Sequence, residues 1–147
     1  MKPEILKYKP ENKNEILLIW EKSVLETHNF LSHKDFIEIR EILRNFNFEE
    51  LNVFCQTEQN KIVGFIGLNN TKIEMLFLDP KYIGKGYGKS LMDFAVLNQN
   101  ANLVDVNEQN TNAKKFYKKY GFEIYERTEK DDLGKDYPIL KMKLVEN

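Results

Sequence analysis

The residues best suited to chemistry lie between Met75 and Leu97. A short apolar run, Met75-Leu76-Phe77-Leu78, closes on Asp79-Pro80. The residue before a proline is pushed out of the helical region, so a strand must end there. The next stretch carries glycine at Gly84, Gly86 and Gly88 and lysine at Lys81, Lys85 and Lys89. Glycine bends the backbone where a Cβ would clash and lets a ligand come close to the amides. From Ser90 onward Leu91, Phe94, Ala95 and Leu97 fall at near-helical spacing. Strand, glycine loop and helix start together aim free N–H groups and the positive end of a helix at one point. That point suits a phosphate or pyrophosphate.

Several readings of this loop compete. As a nucleoside-triphosphate loop, Gly84 to Ser90 is one residue short of G-x-x-x-x-G-K-S, with Ile83 where the extra spacing needs glycine. As a dinucleotide loop it has G-x-G-x-G in place of G-x-G-x-x-G, and it does not open the first βαβ unit of the chain. A glycine-rich turn with no ligand is the plain structural reading. The remaining pattern is a strand ending Leu-x-Val-x-Pro followed by Gln/Arg-x-x-Gly-x-Gly/Ala. Leu76-Phe77-Leu78-Asp79-Pro80 and Gly86-Tyr87-Gly88 resemble it, and it is the acyl-coenzyme A loop of the GNAT N-acetyltransferases. Ile83 stands where that family has Arg or Gln. A second pattern of the same family, Asn-x-x-Ala-x-x-Phe-Tyr-x-x-x-Gly-Phe, occurs intact as Asn110, Ala113, Phe116, Tyr117, Gly121 and Phe122. Two patterns in the right order are far more specific than one. Thr27 to Leu31, Val106 to Asn110 and Asp131 to Lys135 also resemble a subgroup of small bacterial acetyltransferases.

Positioning these residues requires a scaffold. Ile5 to Lys9 reads as a short strand stopped by Pro10. Glu11 to Glu26, with Ile16, Trp20 and Val24 four apart, reads as an amphipathic helix. Ser32 and Asp35 form a capping box for a second helix carrying Phe36, Ile39, Leu43 and Phe46. Leu51 to Thr57, Lys61 to Leu68 and Ile73 to Leu78 read as an antiparallel meander with tight polar turns. Gly64 and Gly67 inside the second of these strands predict a bulge or a close backbone approach. Leu103 to Val106 is a brief strand, Asn110 caps a helix that Gly121 stops, and Phe122 to Thr128 and Tyr137 to Val145 are strands. The order is β-α-α-β-β-β-α-β-α-β-β, the element order of the GNAT fold. It predicts an α/β (mixed α+β) domain spanning 1–147, a mixed central sheet flanked by helices.

Composition narrows the function. The 147 residues are 41% hydrophobic and 12% aromatic, which excludes a disordered chain. A net charge of −1 gives no basic excess for nucleic acid. Cys55 is the one cysteine, and His28 and His33 are too few for a metal cluster, so no disulfide and no metal are expected. Met1-Lys2-Pro3-Glu4 lacks the apolar core of a signal peptide, and the run Ile16 to Trp20 is too short to span a membrane. A soluble cytoplasmic protein, monomer or homodimer, is expected.

The resemblance implies an enzyme that moves an acetyl group from acetyl-coenzyme A to a primary amine in a direct ternary complex. A non-catalytic coenzyme A-binding or sensing module on the same fold is the alternative. Amides of Ile83, Gly84, Lys85, Gly86, Tyr87, Gly88 and Lys89 would receive the pyrophosphate. Backbone groups of Leu76, Phe77 and Leu78 would pair with the pantetheine arm, and Asn110 would belong to the same site. Tyr117 would give a proton to the leaving thiolate, since a phenol near pKa 10 stays protonated at neutral pH. By periodicity alone Tyr117 is a core residue beside Ala113, Phe116 and Tyr120. Asp105 is the first candidate for the base and Glu74 the other, and His28 and Asn29 would line the acceptor pocket.

Overall fold

The structure is a computed structural model that describes residues 2–145. The expected domain limits, 1 and 147, lie outside the described residues. Strands β1 (Glu4–Lys7), β2 (Asn52–Glu58), β3 (Lys61–Asn69), β4 (Lys72–Leu78), β5 (Leu103–Asn107), β6 (Phe122–Thr128) and β7 (Ile139–Leu144) form one sheet in the order β1-β2-β3-β4-β5-β7-β6. Helices α1 (Lys13–Thr27), α2 (His33–Arg44), α3 (Tyr87–Gln99) and α4 (Thr111–Tyr120) cover it. The element order is the one that the periodicity predicts, and no helix among the described residues is long and apolar enough to cross a membrane.

Alternation along the strands sorts the core into two layers. On one face Val53, Cys55 and Phe65 pack beneath Ile16, Trp20 and Val24 of α1 and Phe36 of α2. On the other, Ile66, Leu68 and Ile73 meet Leu91, Met92 and Ala95 of α3, and Val104 and Met142 join them with Tyr117 of α4. Cys55 is sealed in the first layer, and burial pushes its thiol up to about 12, which makes it an apolar filler rather than a nucleophile.

Local chemistry explains most of the element ends. Ser32 Oγ accepts from Asp35 N at 3.1 Å and starts α2, and Asn110 Oδ1 accepts from Ala113 N at 3.2 Å and starts α4. Gly121 stops α4 with φ +125°, a conformation few other residues adopt. Two expectations change. Helix α3 begins at Tyr87 rather than Ser90, so the glycine loop is shorter than the glycine spacing suggests. Leu97 is 77% exposed, because six residues beyond Leu91 is about one and two-thirds turns, and Met92 fills the core instead.

Candidate active site

Sheet register creates an opening. β4 runs parallel to β5 but pairs with it only at Lys72 with Leu103 and Ile73 with Val104. On its other side β4 pairs Ile73 with Leu68 and Met75 with Gly67, leaving Glu74 opposite no residue of β3. This is a β-bulge, which bends its strand and is common at the rims of sites. A methyl at Gly64 would lie 2.4 Å from Leu78 Cδ2 and 3.1 Å from Phe77 O, so β3 and β4 stay close while β4 leaves β5. A cavity of about 280 Å³ fills the gap, walled by Leu76, Phe77 and Leu78 of β4, Asp105 of β5, His28 behind α1 and Tyr117 of α4.

The glycine loop stands at one end of this cavity, with Ile83 and Gly88 on its wall. Gly84 and Gly86 have φ of +87° and +88°, and nothing lies within 4 Å of where a Cβ would be on either. Tyr82 N, Ile83 N and Ser90 N donate to Asp79, Pro80 and Gly86 carbonyls. The amides of residues 84–89 have no acceptor among the described residues. The side chains add less. Lys85 Nζ lies 5.0 Å from the centre of the Tyr82 ring, and Lys89 Nζ is 3.0 Å from Asp93 Oδ2. Tyr87 turns its phenol to Glu58, donating to Oε1 at 2.6 Å, and that bond together with burial raises it to about 12. Ile83 is 53% exposed and offers no polar group.

Tyr117 is buried, its ring edge-on to Phe116 and Phe122. Its Oη has no protein partner among the described residues. Arg40 Nε is the one sealed side-chain polar atom there that lacks a partner, so Tyr117 Oη keeps access to the cavity. Burial raises its pKa, so the phenol holds its proton well above neutral pH. Asp105 Oδ2 is already occupied by Lys72 Nζ at 2.6 Å, and Glu74 Oε1 is 3.6 Å from the same ammonium. Burial alone would lower Lys72, but the carboxylates outweigh it and raise it.

His28 follows the last turn of α1, its main-chain N–H donating to Val24 O at 2.8 Å. Nδ1 is 2.8 Å from Thr27 Oγ1 and Nε2 is 3.5 Å from Asn110 Nδ2. Burial lowers the His28 pKa, which keeps the ring uncharged at neutral pH. The fold thus brings His28, Glu74, Leu76, Phe77, Leu78, Ile83, Gly88, Asp105, Asn110 and Tyr117 to one cavity. Asn29 is exposed and off its wall, and the lysines of the loop point elsewhere. Ser23 and Thr27 also line it, unforeseen from the sequence. Their signal was Ser23, a polar residue one turn after Trp20 on the buried stripe of α1.

A family model described as an acetyltransferase (GNAT) domain matches residues 22–144. The chain is 40% identical over 132 residues to a protein of Salmonella typhimurium named peptidyl-lysine N-acetyltransferase YjaB, covering 90% of this chain and 91% of that one. It is 38% identical over 135 residues to the Escherichia coli protein of that name, covering 92% of each. The solution structure of apo-form YjaB from Escherichia coli superposes with a TM-score of 0.91 at 36% identity over 100% of both chains. The PaiA N-acetyltransferase of Thermoplasma acidophilum, solved in complex with coenzyme A, shares the fold with a TM-score of 0.71 at 21% identity, covering 97% of this chain and 99% of that one.

Proposed function

Because the chain belongs to the GNAT acetyltransferases, it is an enzyme that transfers an acetyl group to an amine, and we propose that its donor is acetyl-coenzyme A and its acceptor a lysine side chain in a peptide. The observation that best supports the donor is the edge of β4 after Ile73, which no strand pairs on the β5 side and which leads to amides without acceptors at 84–89. The lysine acceptor is supported by the names of the relatives.

When bound, acetyl-coenzyme A supplies an acetyl group activated as a thioester. The chain's own residues do the rest. Amides of Gly84, Lys85, Gly86, Tyr87, Gly88 and Lys89, at the positive end of α3, hold the pyrophosphate, whereas the Ile83 amide, expected to join them, is already given to the Pro80 carbonyl. Ile83 contributes no side-chain bond, so the main chain carries this contact. Backbone groups of Leu76, Phe77 and Leu78 align the pantetheine arm as a neighbouring strand would. An N–H there would be available to the acetyl oxygen and would bind it more strongly as negative charge develops. Tyr117 holds a proton at Oη and passes it to the departing sulfur. Asn110 fixes the start of α4 and so the place of Tyr117, two turns on. Asp105 and Glu74, both beside the Lys72 ammonium, form the charged wall of the acceptor side, and His28 forms its aromatic wall.

The test is thiol release from acetyl-coenzyme A with lysine peptides and free amines, for wild type and Tyr117→Phe. Tyr117→Phe should lower kcat by about 10²–10⁴-fold with coenzyme A affinity, read by calorimetry, unchanged. Equal kcat would remove Tyr117 from its role. Turnover of small amines with none of any lysine peptide would overturn the acceptor.

A further inference from the structure

The carboxylate that the sequence predicts as base already carries an ammonium, Lys72 Nζ on Asp105 Oδ2. A different basic group on the cavity wall, the His28 imidazole, carries no cation among the described residues. Thr27 Oγ1 donates its proton to the Ser23 carbonyl at 2.7 Å, and a carbonyl can only accept. With that proton used, Thr27 Oγ1 must accept in its 2.8 Å contact with His28 Nδ1, so Nδ1 bears the ring hydrogen. On the other side Asn110 Oδ1 is held by Ala113 N, which turns Nδ2 toward His28 Nε2 at 3.5 Å. A neutral imidazole has one N–H, so Nε2 keeps its lone pair, loosely met by Asn110, on a residue that lines the cavity.

We propose that His28 is a catalytic residue of this enzyme, its Nε2 accepting the proton that the amine loses as its bond to the acetyl carbon forms, and that Thr27 is the positioning residue that fixes the ring. The proposal rests on the reading of the chain as an acetyl-coenzyme A-dependent amine acetyltransferase. An imidazole of pKa about 6.5 is too weak to strip a resting lysine ammonium of about 10.4. The ammonium therefore gives its first proton to solvent, the neutral amine attacks, and the transfer to His28 comes during that attack. As the nitrogen lone pair enters the N–C bond, an N–H bond on that nitrogen becomes strongly acidic and breaks, its electron pair staying on nitrogen and its proton going to Nε2. Tyr117 Oη loses a proton to the sulfur that takes the C–S electron pair. The His28 imidazolium then returns one proton, by way of solvent, to the Tyr117 phenolate, and both residues are restored.

Other groups around His28 fit this role. Glu74 of β4 and Asp105 of β5 share the charge of Lys72, and Tyr117 of α4 is a proton donor. The Phe30 and Phe77 rings lie 5.1 and 6.4 Å away and keep the imidazole in apolar company. Burial lowers the pKa, so Nε2 is unprotonated at working pH.

Two measurements test this. The first is ¹⁵N NMR of the imidazole in the free protein. It should show hydrogen on Nδ1 and none on Nε2, with a titration midpoint below the ordinary histidine value of about 6.5. Thr27→Val should lose that tautomer preference while keeping the fold by circular dichroism, and should lower kcat with KM unchanged. The second is thiol release by His28→Gln and Asp105→Asn. His28→Gln should lower kcat by about 10²–10⁴-fold and flatten the acid limb of the pH profile, with coenzyme A affinity intact. Asp105→Asn should lose far less. Hydrogen on Nε2, full turnover by His28→Gln, or a larger loss in Asp105→Asn each overturn the assignment while leaving the acetyltransferase reading in place. No turnover by the wild type overturns that reading, and the role of His28 with it.

Discussion

Gly86 shows how much one backbone position decides. It stands immediately before α3 with φ +88° and ψ 2°, and an added methyl would touch nothing within 4 Å. Gly86→Ala therefore acts through the main chain alone. Holding an L-residue there costs about 1–2 kcal/mol. The expected result is a folded protein whose urea unfolding free energy falls by about 1 kcal/mol, with weaker coenzyme A binding as the chain relaxes and turns its amides aside. Calorimetry and urea titration of the same variant check both halves, and unchanged affinity would show that the cradle does not depend on this bend. Features of this kind were legible in the sequence because they are local. The glycines, the Ser32 cap and the Asn110 cap all act within a few residues. The Lys72–Asp105 pair and the contact of His28 with Asn110 join different elements, the latter 82 residues apart, and no spacing rule reaches them.

At the scale of elements, the loop between β6 and β7 is tied to α2 by one cluster. Tyr137 Oη donates to Asp35 Oδ2, and Lys135 Nζ bonds both Asp35, at 2.9 Å, and Glu38. The Tyr137 bond, then the Lys135 bond, hold the Asp35 carboxyl at about 2, against an ordinary 3.8. A carboxyl held below its unfolded value stabilises the fold above that value, and the contribution disappears as pH falls through the folded value. Asp35→Asn should therefore lower Tm at pH 7. Its difference from wild type should shrink between about pH 4 and pH 2, the window that those two values set. Calorimetric scans of both proteins at pH 7, 4 and 2 measure it, and a constant difference would show that the cluster does not work through charge. The elements themselves could be read in order because each has its own period. From the sequence Asp131 to Lys135 offers turn chemistry and a family resemblance but no tie to α2, since its partners there lie about one hundred residues earlier.

The whole molecule is a sheet joined at one end and parted at the other. The strands β1 to β4 and the group β5-β7-β6 share two parallel residue pairs, while Ile73, Val104, Met92 and Met142 pack across the closed end. Full pairing of β4 with β5 would consume the backbone groups that a strand-like ligand needs, so the bulge at Glu74 and the divergence after Ile73 make the site. That parting could not be read from Met75-Leu76-Phe77-Leu78, which looks like any buried strand; it depends on where β5 goes. Hydrogen exchange can detect it. In the free protein, amides of 84–89 and those of 74–78 that do not bond β3 should exchange fast, because no protein acceptor protects them. Coenzyme A should slow both sets together and leave the paired residues 72–73 and 103–104 unchanged. Protection of the loop without the strand would mean that the pyrophosphate binds but the arm does not lie along β4. Protection spread over β5, β6 and β7 as well would mean that the two halves close on the ligand, and the parting would then be a hinge rather than a fixed slot.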